Sequence, residues 1–233
     1  MLAQLRRDLE AARGRDPAAR SWLEVALAYP GVHALWSYRI THWLWHHDQR
    51  LLARWGSSMA QIWTGVDIHP NATLGTGIFI DHATGVVIGE TAEVGNDVTI
   101  YQGVTLGGTS LEHGKRHPTI GDRVTIGAGA KILGPITVGD DSRVGANAVV
   151  VKSVPANSVV VGVPGQIIAR SKAAPHALPA DLQDILMPDL VGLSLQSLWR
   201  RVDELETQLN GRRSEDEVRP SAAGIWAGED FSI

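Results

Sequence analysis

The residues best suited to chemistry lie in the stretch GIFIDHATGVVIGETAEVG, residues 77–95, where Asp81 and His82 stand side by side. Histidine is the natural general base near neutral pH, and it becomes effective when a carboxylate holds its other ring nitrogen. Asp67 precedes His82 by fifteen residues, so the two could touch in a chain that coils back on itself about every eighteen residues. A lone histidine on a strand is more often a surface or core residue, but the neighbouring carboxylate favours a base at His82.

A second group of charged side chains lies in the stretch GGTSLEHGKRHPT, residues 107–119, which contains Lys115, Arg116 and His117. This stretch lacks the regular aliphatic residues found on either side of it. Loops that leave a rigid repeat often carry function. We therefore expect an expelled, cationic loop that contributes to the site.

Aliphatic side chains recur every six positions along the middle of the chain, and this period indicates the elements that position the candidate site residues. The downstream set is Ile120, Ile126, Ile132, Val138, Val144 and Val150. The upstream set is Ile68, Leu74 and Ile80, then, after a shift of two residues, Ile88, Val94, Ile100 and Leu106. A period of six is the hexapeptide repeat of a parallel β-helix, in which three hexads close one triangular coil. The sequence therefore predicts a mainly β fold, a left-handed parallel β-helix with an N-terminal α-helical cap and a C-terminal helix plus flexible tail.

We divide the chain into three segments. Residues 1–63 form a helical domain, because apolar residues recur every three or four positions, and six of the eight tryptophans lie there and are expected to pack on the first coil. Residues 64–170 form the β-helix domain with the loop at 107–119. Residues 171–233 form a linker, an amphipathic helix at 189–210 and a flexible tail. The heptads of that helix fit a short trimerising coiled coil and a helix lying on the body equally well.

The composition excludes several classes of function. With 21 basic against 25 acidic residues the formal net charge is −4, so we expect neither nucleic acid nor an anionic membrane as a partner. The chain has no cysteine, which excludes disulfides, thiolate metal sites and a thiol nucleophile. The start of the sequence lacks the apolar stretch of a signal peptide and no run is long enough to span a membrane, so we expect a cytoplasmic protein.

Zinc is an alternative, because one class of β-helix enzyme, the γ-carbonic anhydrase type, holds the metal with three histidines from neighbouring subunits. The candidate ligands are His69, His82, His113 and His117. Two of them lie in the loop, and that class would not require the helical cap. We therefore expect no metal.

Eight motifs together resemble those of the bacterial serine O-acetyltransferases, which are hexapeptide-repeat acyltransferases. In chain order they are RDPAA (15–19), GVHALWSYRITHWLW (31–45), GVDIHP (65–70), DHATGVVIGETA (81–92), VTLGGT (104–109), KRHP (115–118), IGAGAKILG (126–134) and GVPGQII (162–168). A bare hexapeptide repeat is common to many acyltransferases. The combination of DHATG, KRHP and the HWLW helix is specific to this family.

The resemblance implies acetyl transfer from acetyl-CoA, as co-substrate, to the hydroxyl of L-serine, which gives O-acetyl-L-serine for cysteine biosynthesis. By the family pattern, His82 is the general base and Asp67 is its orienting partner. The attack on the thioester is expected to be direct, without an acyl-enzyme, so no cysteine nucleophile is needed.

The resemblance also implies the substrate-binding residues. Asp16 and Asp81 match the family's carboxylates around the substrate amine and hydroxyl, and Arg116 and His117 match its carboxylate-binding pair. Acetyl-CoA is expected along the groove between two β-helices, bonded to the backbone near Gly108, Thr109, Ala128 and Gly129. Because that groove exists only between protomers, a homotrimer is expected.

Partners follow from two departures from the longer family members. Only about fifteen residues precede Asp16, whereas the longer members carry a helical extension that joins two trimers, so we expect a simple trimer. The end EDFSI keeps an acidic run and the terminal Ile233, which in the family inserts into the active site of O-acetylserine sulfhydrylase. Inhibition by L-cysteine is a further expectation of the family.

Two alternatives to serine acetylation stay open. A β-helix acetyltransferase for homoserine, an amino sugar or a drug would keep His82 but bind another acceptor. A non-catalytic scaffold that docks the sulfhydrylase through Ile233 would not need His82 as a base.

Overall fold

The computed structural model describes residues 2–170 and 197–205 of the chain. The chain divides into two compact units, Met1–Leu182 and Gln183–Ile233, and each is described by itself. In the second unit, the nine described residues are helical. The rest of the predicted C-terminal helix, the linker and the tail with Ile233 lie outside the described residues. No helix in the described ranges is long and apolar enough to span a bilayer.

Four helices open the chain: α1 (Leu2–Arg15), α2 (Trp22–Ala28), α3 (Pro30–His46) and α4 (Arg50–Thr64). Their boundaries follow from local signals. Ser21 caps α2, because its side-chain oxygen accepts the backbone N–H of Glu24 at 3.1 Å. Pro30 stands at the first position of α3, where an N–H would have no helical partner. Gly65 ends α4 in the left-handed conformation.

Short strands follow in regular succession. They are β1 (Asp67–Ile68), β2 (Thr73–Leu74), β3 (Phe79–Ile80), β4 (Val87–Ile88), β5 (Glu93–Val94), β6 (Thr99–Ile100), β7 (Thr105–Gly107), β8 (Thr119–Ile120), β9 (Thr125–Ile126), β10 (Lys131–Leu133), β11 (Thr137–Val138), β12 (Arg143–Val144), β13 (Val149–Val150), β14 (Ser158–Val161) and β15 (Gln166–Arg170). They form three sheets: side A (β1-β4-β7-β10-β13), side B (β2-β5-β8-β11) and side C (β3-β6-β9-β12-β14-β15). From β1 to β13, successive strands visit sides A, B and C in turn with parallel pairing. The predicted left-handed β-helix is confirmed.

The register of the stacked strands shows where the coil departs from eighteen residues. Ile132 pairs with Val150, eighteen residues later, as in a regular coil. Ile68 pairs with Ile88, twenty residues later, because two additional residues lie at the corner that holds His82. The coil that contains the expelled loop is longer still, with paired residues twenty-six apart.

The core of the β-helix is a column of stacked aliphatic side chains. Every predicted hexad position from Ile68 to Val150 is buried, with at most 6% of its surface exposed. Burial of each such side chain contributes about 1.5–3 kcal/mol. This column therefore makes the coil a rigid support for the residues at its corners.

A buried ion pair docks the helices on the first coil. Arg39 of α3 donates to the Leu74 carbonyl oxygen at 2.8 Å and to the Asp8 carboxylate at 3.2 Å. Asp8 of α1 is fully buried and accepts the backbone N–H groups of Gly77 and Ile78 at 2.9 and 3.3 Å. Burial raises the pKa of Asp8, and the Arg39 charge opposes that rise. Because both charges are paired and hydrogen-bonded, the pair holds α1 and α3 at a defined position on the coil.

The expected packing of the tryptophans on the first coil is wrong for most of them. Four of the six N-terminal tryptophans are 42% to 70% exposed: Trp22, Trp43, Trp55 and Trp63. Where α3 meets the end of β3, the helix lies too close to the coil for an indole ring to fit between them. At Gly31 of α3, an added Cβ would lie 2.1 Å from the Ile80 carbonyl oxygen. A small residue, Gly31, and the hydrogen bonds of Arg39 therefore join α3 to the first coil.

Candidate active site

His82 stands at an enlarged corner of the coil, between sides C and A. Ordinary corners at this edge have one residue with positive φ, such as Gly103 or Gly129. At this corner three residues have positive φ: His82 (56°), Ala83 (52°) and Gly85 (77°). Positive φ is uncommon outside glycine, and strained backbone clusters at functional sites. The additional residues turn the imidazole outward, so that 74% of the His82 side chain is exposed.

Asp81 connects this histidine with a second carboxylate and two phenols. Asp81 Oδ2 lies 3.9 Å from His82 Nε2. Burial raises the pKa of Asp81, His82 opposes the rise, and the charge of Asp16 adds to it. Asp16 accepts the Tyr29 hydroxyl at 2.5 Å. The pKa of Tyr101 is raised by burial and then by Asp81 and Asp16. We call these five residues the base cluster.

Asp67, the predicted partner of His82, lies at the start of β1. It is half-buried, and its backbone N–H donates to the Val86 carbonyl oxygen at 2.9 Å. In the described part of the chain, no hydrogen bond or ion pair joins the Asp67 carboxylate to the His82 imidazole. The carboxylate that this structure places beside the imidazole is that of Asp81. The orienting role of Asp67 stays a prediction.

The cationic loop is tied to the coil by one threonine. The backbone N–H groups of Arg116 and His117 donate to Thr91 Oγ1 at 3.0 and 3.1 Å. The Thr91 hydroxyl and backbone N–H donate to His117 Nδ1 at 2.9 and 3.2 Å. The Arg116 guanidinium pairs with the Glu90 carboxylate. Lys115 donates to the Thr91 carbonyl oxygen at 2.9 Å. We call Glu90, Thr91, Arg116 and His117 the loop cluster.

These hydrogen bonds determine which ring nitrogen of neutral His117 carries the proton. Since Nδ1 accepts the Thr91 N–H, the proton of the neutral ring lies on Nε2. Burial lowers the pKa of His117, and the charge of Arg116 lowers it further. The hydrogen bond from the Arg116 guanidinium lowers the pKa of its partner Glu90. The loop cluster therefore offers a guanidinium and a neutral N–H donor, which together suit a carboxylate ligand.

A glycine makes room for the His117 ring. A Cβ added at Gly89 would lie 2.0 Å from both Cδ2 and Nε2 of His117. Only a residue without a side chain lets the ring approach the coil this closely. The absence of a side chain at Gly89 therefore helps to position the His117 ring of the loop cluster.

The four positions expected to bind acetyl-CoA also lie at corners. Gly108 and Thr109 follow β7, where side A meets side B, and both are exposed. Ala128 and Gly129 follow β9, where side C meets side A. Lys131 donates to the Gly129 carbonyl oxygen at 2.8 Å and so supports that corner.

The predicted site residues divide between two edges of the triangular coil. The edge between sides C and A carries His82 of the base cluster together with Ala128 and Gly129. The edge between sides A and B carries the loop cluster together with Gly108 and Thr109. No hydrogen bond or ion pair joins the two clusters within residues 2–170. One chain therefore presents two separate groups of predicted site residues, one on each edge of side A.

The histidines considered as zinc ligands lie on two edges of the coil, with His82 between sides C and A and the other three between sides A and B. His69 Nδ1 accepts the Asn71 N–H at 3.0 Å, and burial followed by the Arg54 charge lowers the pKa of His69 to about 4. His113 is exposed in the loop. Over the described ranges, no group of three or more His, Cys, Asp or Glu side chains is gathered as metal ligands.

Five residues that shape the site were not predicted from the sequence: Gly89, Glu90, Thr91, Tyr29 and Tyr101. Gly89, Glu90 and Thr91 lie in the motif DHATGVVIGETA, so their place in the motif was a signal, but their contacts with the loop were not visible in it. Tyr29 carried no signal beyond its position before Pro30.

Comparisons with known proteins identify the family. Residues 117–152 match the family model described as bacterial transferase hexapeptide (six repeats). The chain is 61% identical, over 100% of both sequences, to a serine acetyltransferase of Mycobacterium tuberculosis. Among solved structures, it is 47% identical to a serine acetyltransferase from Brucella abortus in complex with coenzyme A, with a TM-score of 0.71 over 73% of this chain and 68% of that chain. It is 48% identical to a soybean serine acetyltransferase complexed with serine, with a TM-score of 0.70 over 71% of this chain and 68% of that chain. The full-length identity shows that the chain belongs to the serine acetyltransferase family.

Proposed function

We propose that this chain is a serine O-acetyltransferase, which transfers the acetyl group of acetyl-CoA to the hydroxyl of L-serine and releases O-acetyl-L-serine and CoA. Identity of 61% over the full length supports the activity. Solved relatives bound to coenzyme A and to serine support the two substrates. In the structure itself, the observation that carries the proposal is the exposed His82 imidazole, presented beside Asp81 by an enlarged corner of a rigid coil.

His82 acts as the general base of a direct transfer. It takes the hydroxyl proton as the serine oxygen attacks the thioester carbonyl, and the imidazolium returns that proton to the departing CoA thiolate. One C–O bond forms, one C–S bond breaks, and the enzyme ends unchanged. Base catalysis of this kind contributes about 10²- to 10⁴-fold. Asp81 stabilises the imidazolium from 3.9 Å, and Asp67 is the family's candidate for its orientation.

The acceptor is a zwitterion, so its site must offer both charges. Asp16 and Asp81 face the amine and hydroxyl side in our proposal. Arg116 and the Nε2–H of His117 bind the carboxylate, as their charge and tautomer suit. Two carboxylates opposed by a guanidinium and a neutral N–H donor would select an amino acid over a sugar or a simple alcohol.

We further propose that each site forms between two protomers of a homotrimer. The base cluster and the loop cluster lie on different edges of one coil, so an adjacent copy can bring the second edge to the first. The same arrangement brings Ala128 and Gly129 of one chain near Gly108 of the next, along the expected acetyl-CoA groove. Apolar side chains exposed on α4 give further support to self-association: Leu51, Leu52, Trp55, Ile62 and Trp63.

Subunit mixing tests this shared site. His82→Ala and Arg116→Ala are each expected to lose activity at low serine concentration. Co-expression of the two should restore about a quarter of wild-type activity, because random mixing pairs two intact edges in that share of sites. Each variant alone is the control. Activity no higher than the average of the two single variants would place the whole site in one chain.

The acceptor identifies the reaction. Thiol release from acetyl-CoA is measured with L-serine, homoserine, glucosamine and an aminoglycoside, each at equal concentration. We expect release with L-serine at a rate well above the others. Release with a sugar or a drug but not with serine would reject the proposed acceptor, and no release with any acceptor would favour a non-catalytic scaffold.

The partner proposal rests on the C-terminal tail. Ile233 lies outside the described residues, and the resemblance is what supports its docking to O-acetylserine sulfhydrylase. Deletion of Ile233 should abolish capture of that enzyme in a pull-down and leave thiol release unchanged. Unaltered capture would refute the docking.

A further inference from the structure

Tyr29 is a polar residue of the base cluster to which the proposed mechanism gives no role. Its hydroxyl donates to Asp16 Oδ2 at 2.5 Å. The other oxygen of the same carboxylate, Oδ1, accepts the Ala18 N–H at 2.8 Å. Each oxygen of the Asp16 carboxylate therefore has its own hydrogen-bond donor. One donor is a nearby backbone N–H, and the other is the side chain of Tyr29, which lies between α2 and α3. A carboxylate held in this way keeps a single orientation.

Tyr29 is itself held firmly. It stands between α2 and α3 with extended backbone (φ −96°, ψ 104°), the conformation that a following proline favours. Its carbonyl oxygen accepts the N–H groups of Val32 and His33 at 3.1 and 3.2 Å. Its ring packs against a small apolar cluster that includes Val25 and Phe79. Phe79 lies in β3, two residues before Asp81, so this cluster ties the phenol to the strand that leads to the base.

The Tyr29 phenol is a hydrogen-bond donor at neutral pH. The hydrogen bond to Asp16 is the main cause that raises the pKa of Tyr29 to about 12, followed by burial and the charge of Asp16. Tyr29 therefore stays protonated at neutral pH. A hydrogen bond to a carboxylate is among the stronger ones in proteins, since the acceptor is charged.

We propose that Tyr29 is a positioning residue for the amine of the acceptor: its phenol sets the orientation of the Asp16 carboxylate and thereby the affinity for serine. The inference rests on the proposed role of Asp16. Asp16 follows the end of α1 on a short connection, where a free carboxylate would sample several rotamers. Fixing it in advance removes the entropy that serine would otherwise lose on binding. Since Tyr29 has no contact with His82 among its described hydrogen bonds, the chemical step should depend on it little.

The test is Tyr29→Phe, which removes the hydroxyl and keeps the ring in its apolar cluster. We expect the KM for L-serine to rise about tenfold, with kcat and the KM for acetyl-CoA within about threefold of wild type. Tyr38→Phe is the matched control. Tyr38 is buried under the cap and donates to the Ala72 carbonyl oxygen at 2.6 Å, so its loss should lower the Tm without changing the KM for serine.

A ligand without the amine separates positioning from a general structural effect. 3-Hydroxypropionate keeps the hydroxyl and carboxylate of serine but has no ammonium group. Its inhibition constant should be the same for wild type and Tyr29→Phe. If Tyr29→Phe weakened this ligand as much as serine, the phenol would be supporting the site as a whole and the inference would be wrong.

Asp16→Asn distinguishes the inference from the proposed function. If Asp16→Asn leaves the KM for serine unchanged, the proposed role of Asp16 fails, and the inference fails with it. If Asp16→Asn raises that KM and Tyr29→Phe does not, the inference alone fails. If both raise it, the double variant should be no worse than Asp16→Asn, because the phenol acts through that carboxylate.

Discussion

The two edges that flank side A differ in how much of their chemistry is set within one chain. On the edge between sides A and B, Arg116 and His117 are held by Thr91 and Glu90 through a closed set of hydrogen bonds. On the edge between sides C and A, the His82 side chain is 74% exposed and has one carboxylate within 4 Å. The proposed carboxylate-binding edge is therefore fixed by hydrogen bonds within the chain, while the proposed base is largely exposed.

This difference fits the role that we propose for each edge. A carboxylate ligand is recognised by geometry, so its donors gain from being fixed before binding. A base must reach a proton on the substrate and later deliver it to sulfur, which requires an accessible ring. The enlarged corner supplies that access, and the coil beneath it supplies rigidity.

The largest effect that separates the two edges is expected from His82→Ala. Loss of the base should lower kcat/KM for serine by about 10²- to 10⁴-fold. The Tm should not change, because the side chain is exposed and makes no hydrogen bond in the described chain. Steady-state thiol release and thermal unfolding measure both. His113→Ala, at an exposed loop position, serves as control and should stay active; a fully active His82→Ala enzyme would contradict the assignment.

A smaller effect, on binding alone, is expected from Gly89→Ala. The added methyl group meets the His117 ring at 2.0 Å, so the ring must move. Overpacking of this kind costs about 1–3 kcal/mol, and we expect the KM for serine to rise about 10- to 100-fold with a smaller change in kcat. Gly14→Ala is the control, because nothing lies within 4 Å of its added Cβ. A larger loss in kcat than in KM would show that the edges are not independent.

Thr91→Val tests the bonds that fix the loop cluster. Valine keeps the shape but removes the oxygen that accepts the Arg116 and His117 N–H groups and the hydroxyl that donates to His117 Nδ1. We expect the KM for serine to rise about five- to tenfold. Thr91→Ser keeps the hydroxyl and should behave as wild type. Equal kinetics for the valine and serine variants would mean that the hydroxyl has no role.

The smallest effect concerns the pH dependence of stability. His69, on the edge between sides A and B, has its pKa lowered to about 4, mainly by burial. In the unfolded chain a histidine titrates near 6.5, so between about pH 6.5 and 4 the unfolded state binds the extra proton. Stability from this group is present above pH 6.5 and is lost as the pH falls.

Thermal unfolding at a series of pH values from 7.5 to 4.5 checks this expectation. His69→Gln removes the titrating ring, so the fall in Tm on acidification should be smaller by about 2–4 °C. Asp81 on the other edge has a raised pKa and acts with the opposite sign, so it opposes the fall. An identical pH profile for wild type and His69→Gln would show that His69 does not contribute.

Features of the site that depend on neighbouring residues could be predicted from the sequence, whereas features that depend on contacts between separate elements could not. The expelled loop and the two-residue shift beside His82 were visible, because each interrupts a strict period. The contact between Tyr29 and Asp16 was not, since it depends on how α1 and α2 dock. Nor did the pattern show which carboxylate lies beside the imidazole: Asp67 was expected, and Asp81 is found within 4 Å. The prediction for the tryptophans failed because apolar character indicates burial, whereas four of the six N-terminal indole rings are exposed in this chain.

The amino-acid sequence by itself determined the coil, its inward column and the residue types available for chemistry. It could do so because each hexad buries one aliphatic side chain against its copies above and below, so a local period specifies the fold. Only the tertiary structure decided that the proposed base and the proposed carboxylate-binding pair lie on separate edges, that the neutral His117 ring carries its proton on Nε2, and that a phenol holds Asp16. These features arise from contacts between residues far apart in the chain, and such contacts depend on corner geometry and helix docking, which no local pattern encodes.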